Sequence, residues 1–102
     1  MEFLIEIQVD LPGQMPDEER VRLIDAERVR GRELAAQGVI RAIWRVPGRL
    51  ANRAIWSAKD AGELHAAITS LPLWPYCSVN VMPLARHELA DQCQGLPPGL
   101  EA

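Results

Sequence analysis

The order in which strand-like and helix-like segments follow one another leaves few possible folds for this chain. Apolar and polar side chains alternate over residues 2–10, which predicts a strand with one buried face. Residues 17–38 predict a helix, because its first turn is acidic from Asp17 onward and Gly38 is placed as a C-terminal glycine cap. The chain therefore begins with a strand and a long helix.

In the second part of the chain, strands and a helix again follow one another. Residues 39–46 and 50–57 predict two strands, which the turn dipeptide Pro47-Gly48 joins as a hairpin. Asp60 begins a second helix as the first residue of a D-x-x-E capping pattern. Apolar residues then alternate with polar ones over residues 77–82, which predicts a fourth strand.

The resulting order, β-α-β-β-α-β, is a split βαβ arrangement and belongs to the α+β class. Right-handed crossovers would place both helices on one face of a four-stranded antiparallel sheet. The opposite face has to be covered by a second subunit or a ligand if it is apolar, so we expect a dimer. We assign residues 1–88 to this domain and residues 89–102, which are polar and rich in Pro and Gly, to a C-terminal tail.

Charge and composition argue against several classes of protein. The chain has 11 Lys and Arg against 14 Asp and Glu, a net charge of −3, which argues against nucleic-acid binding. Its longest apolar runs fall far short of the roughly 20 residues of a membrane span, and the N-terminus lacks the basic start of a signal peptide, so we expect a cytoplasmic protein. Cys77 and Cys93 lack a CxxC partner, which argues against a metal or redox site. Cys77 is most simply a small buried hydrophobic residue.

One charged residue interrupts the inward stripe of the first predicted helix. On a helical wheel this stripe consists of small and apolar residues, Leu23, Ile24, Gly31, Leu34 and Gly38. Glu27 falls in the middle of the stripe, with Arg30 at its edge. Because an inward carboxylate loses water, its pKa rises, which makes Glu27 a candidate general base for removing a proton from carbon. The alternative is a structural Glu27–Arg30 pair at i,i+3 spacing.

The second predicted strand carries residues that could bind an anion. Strict alternation would put Arg41, Ile43 and Arg45 on one face, and Ile40 and Trp44 on the other. The two arginines could hold a substrate carboxylate bidentately, or they could form surface or intersubunit ion pairs. Trp44 would be a residue of the core, of an interface or of a pocket wall.

Several short motifs occur together in an order that is typical of one family. They are Ile43-Trp44-Arg45 followed by Gly48, Ala51-Asn52, Glu63-Leu64-His65, Leu71-Pro72-Leu73-Trp74-Pro75-Tyr76, Pro83-Leu84 and Arg86-His87. The most specific of them is the Leu-Pro-Leu-aromatic-Pro-Tyr run at its distance after the hairpin. With these motifs the chain resembles the muconolactone isomerases over about residues 1 to 88.

The resemblance implies a ferredoxin-like subunit that forms a dimer across its sheets, in an α/β-barrel-like association, and a ring-shaped decamer. It implies an enzyme of aromatic-compound catabolism that needs no cofactor and no metal, with its pocket near subunit contacts. Glu27 falls on the family's helix glutamate, which is thought to be the base. The lysine that the family typically has three residues earlier is Ile24 here.

From the residues and the resemblance together, we expect a double-bond shift by proton transfer in an unsaturated lactone or related small ring acid. Glu27 is the expected catalytic residue. Substrate-binding residues are expected at six further positions, Arg41, Trp44, Arg45, Arg49, Asn52 and His87. Two alternatives are a lactone dehalogenase that uses the same pocket, and a non-catalytic oligomer that binds a small ligand.

Overall fold

A computed structural model describes residues 1–93 of the chain, so residues 94–102 of the predicted tail lie outside the described part. The elements, in chain order, are β1 (Glu2–Val9), α1 (Asp17–Ala36), β2 (Ile40–Arg45), β3 (Ala51–Ser57), α2 (Ala61–Thr69) and β4 (Cys77–Leu84). Two short 3-10 turns follow α2 and β4, at Trp74–Tyr76 and Ala90–Gln92. This order confirms the predicted β-α-β-β-α-β pattern.

The four strands form one antiparallel sheet in the order β2-β3-β1-β4. In the middle of the sheet, Ile5 of β1 pairs with Ala54 of β3 on one side and with Val81 of β4 on the other. The architecture is the expected ferredoxin-like α+β fold. Over residues 1–93, the structure contains no helix with the length and apolar character needed to cross a membrane.

The hydrophobic core lies between one face of the sheet and the two helices. Strand side chains of this face are Phe3, Ile5 and Ile7 of β1 with Ala54 and Trp56 of β3. The helices cover them with Leu34 of α1, Leu64 and Ile68 of α2, and Leu71 just beyond α2. Burying each large apolar side chain stabilises the fold by roughly 1.5–3 kcal/mol, so this layer fixes where both helices sit.

Both helices have the predicted capping residues. After Ala36, Gly38 has a φ of +78°, and the N–H groups of Gly38 and Val39 donate to the carbonyls of Ala35 and Leu34. This is the Schellman arrangement, which favours glycine at the left-handed position. At the start of α2, a side-chain oxygen of Asp60 accepts a hydrogen bond from the Glu63 N–H at 2.8 Å.

A bulge at Arg41 in β2 contradicts the strict alternation expected for that strand. Ile40 pairs with Trp56, but Ala42 pairs with Ile55, so the register shifts by one residue between them. A one-residue shift moves every later side chain to the other face of the sheet. Arg45 therefore shares the helix-covered face with Ile40, and the expectation that Arg41 and Arg45 share a face by simple alternation is wrong.

The other face of the sheet, here called the open face, has no helix over it in the described residues. It carries apolar side chains from all four strands, namely Leu4, Trp44, Ile55, Met82 and Leu84. Trp44 is 48% exposed and Met82 57%. An ion pair crosses the same face, with Arg53 Nε 3.3 Å from Glu6 Oε2. This face has the apolar character that was expected to need a cover.

Candidate functional site

Glu27 lies in the middle of α1 and is half-buried. Its Oε1 accepts a hydrogen bond of 3.0 Å from the backbone N–H of Leu73, a residue 46 positions further along the chain. Leu73 belongs to the connector between α2 and β4. The helix glutamate is thus directed at this connector, whereas the helical wheel predicted only that it would face inward, toward the sheet.

The connector, residues 71–76, is held rigidly enough to present that N–H group. Leu71 and Leu73 are buried, and the two prolines of the segment restrict its backbone. The Trp74 N–H donates to the Leu71 carbonyl and the Tyr76 N–H donates to the Leu73 carbonyl, both at 2.9 Å. These two consecutive turns leave the Leu73 N–H pointing at α1, where the carboxylate of Glu27 accepts its hydrogen bond.

The environment of Glu27 pulls its pKa in two directions. Burial penalises the charged form and raises the pKa of Glu27 above its ordinary value of 4.5, while the hydrogen bond from Leu73 opposes that rise. Arg30, the alternative partner, donates to Ser70 Oγ at 2.9 Å and lies 3.0 Å from Glu33 Oε2. A carboxylate with a raised pKa and incomplete hydration can accept a proton and return it.

Cys77, the first residue of β4, contacts the same connector residue. Its thiol donates to the Leu73 carbonyl at 3.1 Å. Burial, and then the negative charges of Glu27 and Asp10, raise the pKa of Cys77 to about 11. Cys77 is half-buried and packs against the core. Its polar contact could not be predicted from local patterns, because that contact depends on the turn at Leu73.

Arg45 and Asn52 lie on the helix-covered face, at the end of the sheet where Cys77 begins β4. The register puts Arg45, Asn52, Ile7 and Val79 in one row across the sheet. Cys77 pairs with Val9, two residues further along β1, which is the next row on the same face. Adjacent strands are about 4.8 Å apart, so Asn52 is displaced sideways from β4 by about 10 Å. These two polar residues therefore share a face and an end of the sheet with the surroundings of Glu27.

The other candidate residues are not brought beside Glu27 within one subunit. Arg49 is exposed in the turn after Gly48, at the same end of the sheet. Arg41 is half-buried at the bulge near the opposite end, and Trp44 is on the open face. His87 is exposed beyond the far end of β4, where its Nδ1 accepts a hydrogen bond from the Leu89 N–H at 2.9 Å.

Within residues 1–93, no three His, Cys, Asp or Glu side chains come together in a way that could hold a metal ion. The described part of the candidate site thus consists of a carboxylate, a neutral thiol and the backbone of Leu73, with a carboxamide and a guanidinium further along the sheet.

Known proteins resemble this chain along most of its length. The sequence model of a family described as muconolactone delta-isomerase matches residues 1–90. Muconolactone Delta-isomerase 2 of Acinetobacter lwoffii is 38% identical over 87 residues, which is 85% of this chain and 91% of that relative. The muconolactone Delta-isomerase of Acinetobacter baylyi is 37% identical over the same shares. A crystal structure of a muconolactone isomerase has a TM-score of 0.82 and 31% identity, covering 86% of this chain and 92% of that chain.

Proposed function

The chain belongs to the muconolactone delta-isomerase family, and we propose that this isomerase acts on an unsaturated lactone that carries a carboxylate, such as muconolactone. The observation that supports this substrate class is the half-buried Glu27, whose pKa is raised on the inward side of α1. Moving a ring double bond needs a group that takes a proton from one carbon and delivers a proton to another. One carboxylate can do both if the ring stays in place.

In the proposed mechanism, ionised Glu27 removes a proton from the saturated ring carbon next to the C=C bond that is conjugated with the lactone carbonyl. The C–H electron pair moves into the conjugated system to give a dienolate, and Glu27 becomes a carboxylic acid. The same proton, or one exchanged with water, then adds to a different ring carbon, which relocates the double bond and restores the carboxylate. Atoms and charge balance without a co-reactant.

We propose that Arg45 and Asn52 bind the substrate carboxylate, with Arg49 adding positive charge at the same end of the sheet. Guanidinium and carboxamide groups suit this role, because they donate directed hydrogen bonds to carboxylate oxygens. For Arg41, Trp44 and His87 we propose a contribution to a site formed with a neighbouring subunit, because within one subunit they face away from Glu27 or lie at the far end.

We also propose that the chain forms a dimer through its open faces, and that dimers assemble into a decamer in the cytoplasm. The support for the dimer is that exposed apolar side chains, Trp44 and Met82 among them, lie together on the open face. Single exposed apolar residues scattered over a surface would need no cover. The ion pair between Arg53 and Glu6 joins two strands of one subunit on the same face, so it would add a polar, charge-balanced patch to that interface.

The test of the catalytic role is the substitution Glu27→Gln, which keeps the shape of the side chain and removes its basicity. We expect turnover of muconolactone, followed by the absorbance change as the double bond moves, to fall by about 10²-fold or more. Glu19→Gln, on the exposed first turn of the same helix, is the matched control and should retain wild-type rates. Normal turnover by Glu27→Gln would remove this mechanism.

The relatives described above carry isomerase names, and those names give no support to the dehalogenase or to the non-catalytic alternative. Assaying chloride release from a chlorinated lactone alongside the isomerase assay would separate the two reactions. Isomerisation without halide release is the expected result.

A further inference from the structure

Glu27 and Cys77 bind the two backbone groups of one residue, Leu73. The Leu73 N–H donates to Glu27 Oε1 at 3.0 Å, and the Leu73 carbonyl accepts from the Cys77 thiol at 3.1 Å. Leu73 has φ −85° and ψ −2°, values typical of the third residue of a tight turn. Its side chain is buried, and its carbonyl also accepts from the Tyr76 N–H at 2.9 Å, so two donors, this N–H and the thiol, hold the turn that presents the Leu73 N–H.

The thiol is suited to hold that carbonyl over the pH range in which Glu27 titrates. With the pKa of Cys77 raised to about 11, the sulfur keeps its proton and remains a donor at neutral pH. The negative charges of Glu27 and Asp10 contribute to this, so ionising the carboxylate strengthens the tendency of the thiol to stay protonated. The Cys77 thiol is therefore still protonated, and able to donate, when Glu27 is ionised and able to act as a base.

We propose that Cys77 is a positioning residue for Glu27: its thiol fixes the Leu73 carbonyl and thereby aims the Leu73 N–H at the carboxylate. This inference rests on the proposed role of Glu27 as the base. Cys77 does not contact the substrate in this scheme. It sets the direction and the basicity of the carboxylate through the connector.

Loss of the thiol donor should weaken the bond between the Leu73 N–H and Glu27. That bond stabilises the charged carboxylate, so weakening it raises the pKa of Glu27 and leaves the carboxylate less well oriented. Other charged groups near this pair are Asp10, at the end of β1, and Arg30, which is engaged by Ser70 and Glu33. Neither of them is altered by a substitution at Cys77.

Two substitutions with opposite properties test the proposal. Cys77→Val keeps an apolar, strand-favouring side chain of similar size but removes the donor, whereas Cys77→Ser is more polar but keeps a donor. The Leu73 carbonyl still accepts from the Tyr76 N–H at 2.9 Å in either variant, so no backbone group is left without a partner. Both variants are therefore expected to fold.

We expect Cys77→Val to raise the pKa of Glu27, because a hydrogen bond to the charged form is weakened, and to lower kcat about threefold. Cys77→Ser should restore most of both values. The measurements are the pH profile of kcat/KM and an NMR titration of labelled glutamate carboxyl carbons, with the Glu27 signal assigned by its loss in Glu27→Gln. Cys93→Val is the control, since Cys93 is an exposed cysteine whose thiol donates to the carbonyl of Leu89, four residues earlier, and not to that of Leu73.

The opposite ranking would overturn the proposal. If Cys77→Val behaves as the wild type and Cys77→Ser is impaired, Cys77 serves packing alone. The NMR titration separates this result from a failure of the proposed function, because it reports on the carboxyl of Glu27 whether or not that group is the base. Full activity in Glu27→Gln would refute the catalytic role while leaving the measured coupling of Cys77 to Glu27 interpretable.

Discussion

At the scale of single residues, the proposed chemistry depends on how the charge on Glu27 is balanced. Burial raises the pKa of its carboxyl and one backbone N–H lowers it. Ile24, which precedes Glu27 by three residues on α1, is half-buried and offers no compensating charge. The resemblance to the muconolactone isomerases implies a lysine at this position in typical members. The residue-scale difference from typical members is thus an electrostatic one.

Restoring that cation should shift the pH dependence of the enzyme. Glu27 must be ionised to act as the proposed base, so we expect activity to be lost as pH falls through the pKa of Glu27, which burial raises above its ordinary value of 4.5. In Ile24→Lys, the nearby ammonium favours the carboxylate and should move the acidic limb of the kcat/KM profile to lower pH.

Ile24→Met is the matched control for that substitution, because it has a flexible side chain without charge. Its acidic limb should coincide with that of the wild type. An unchanged limb in Ile24→Lys would mean that position 24 does not act electrostatically on the base.

At the scale of secondary-structure elements, α1 is a helix whose position depends on very few apolar contacts. Leu34 is its one buried residue, at 1% exposure, and the helix presents Glu27 from an otherwise largely solvated surface. Its end is therefore set by the backbone, through the glycine at position 38. Local conformational preference matters more for this helix than for α2, which buries Leu64 and Ile68.

The same substitution at two glycines of this region should have opposite effects on stability. Gly38 has φ +78°, so Gly38→Ala should destabilise the fold by about 1 kcal/mol. Gly31 is inside α1, and a β-carbon there would meet nothing within 4 Å, so Gly31→Ala should stabilise the fold by about 0.5–1 kcal/mol.

Urea unfolding at one fixed protein concentration measures both effects, since association would otherwise change the apparent stability. Equal signs for the two variants would show that the end of α1 is set by packing instead of by the left-handed glycine.

At the scale of the whole molecule, the two faces of the sheet have different roles. One face supports the helices and the surroundings of Glu27. The open face carries exposed apolar side chains and the Arg53–Glu6 ion pair. A subunit with this shape places its catalytic candidate on one side and its proposed dimer surface on the other, so residues such as Trp44 could reach a site only through assembly.

Charge placed on the open face should prevent association. Met82→Glu would bury an unpaired carboxylate in the proposed dimer interface, at a cost of several kcal/mol, and should release monomers. Val29→Glu is the control, because Val29 is a similarly exposed apolar residue on α1. Light scattering coupled to size-exclusion chromatography gives the molar mass, and an unchanged assembly in Met82→Glu would exclude this face as the interface.

The sequence by itself determined the features that arise from neighbouring residues. Three such features could be predicted: the alternation within β1, the cap at Asp60 and the glycine at position 38. Each depends on hydrogen bonds or side-chain periods within a few residues. The inward position of Glu27 could be predicted for the same reason, since α1 is a regular helix. Family motifs added the ferredoxin-like fold and the isomerase class.

Tertiary structure alone decided which groups meet Glu27. The Leu73 N–H comes from 46 residues away, and the thiol of Cys77 reaches the same residue only because the connector turns tightly. The bulge at Arg41 likewise exchanged the faces of Trp44 and Arg45 relative to simple alternation. Such contacts depend on how separate elements pack and register, and one-residue shifts in pairing leave no mark in local sequence patterns.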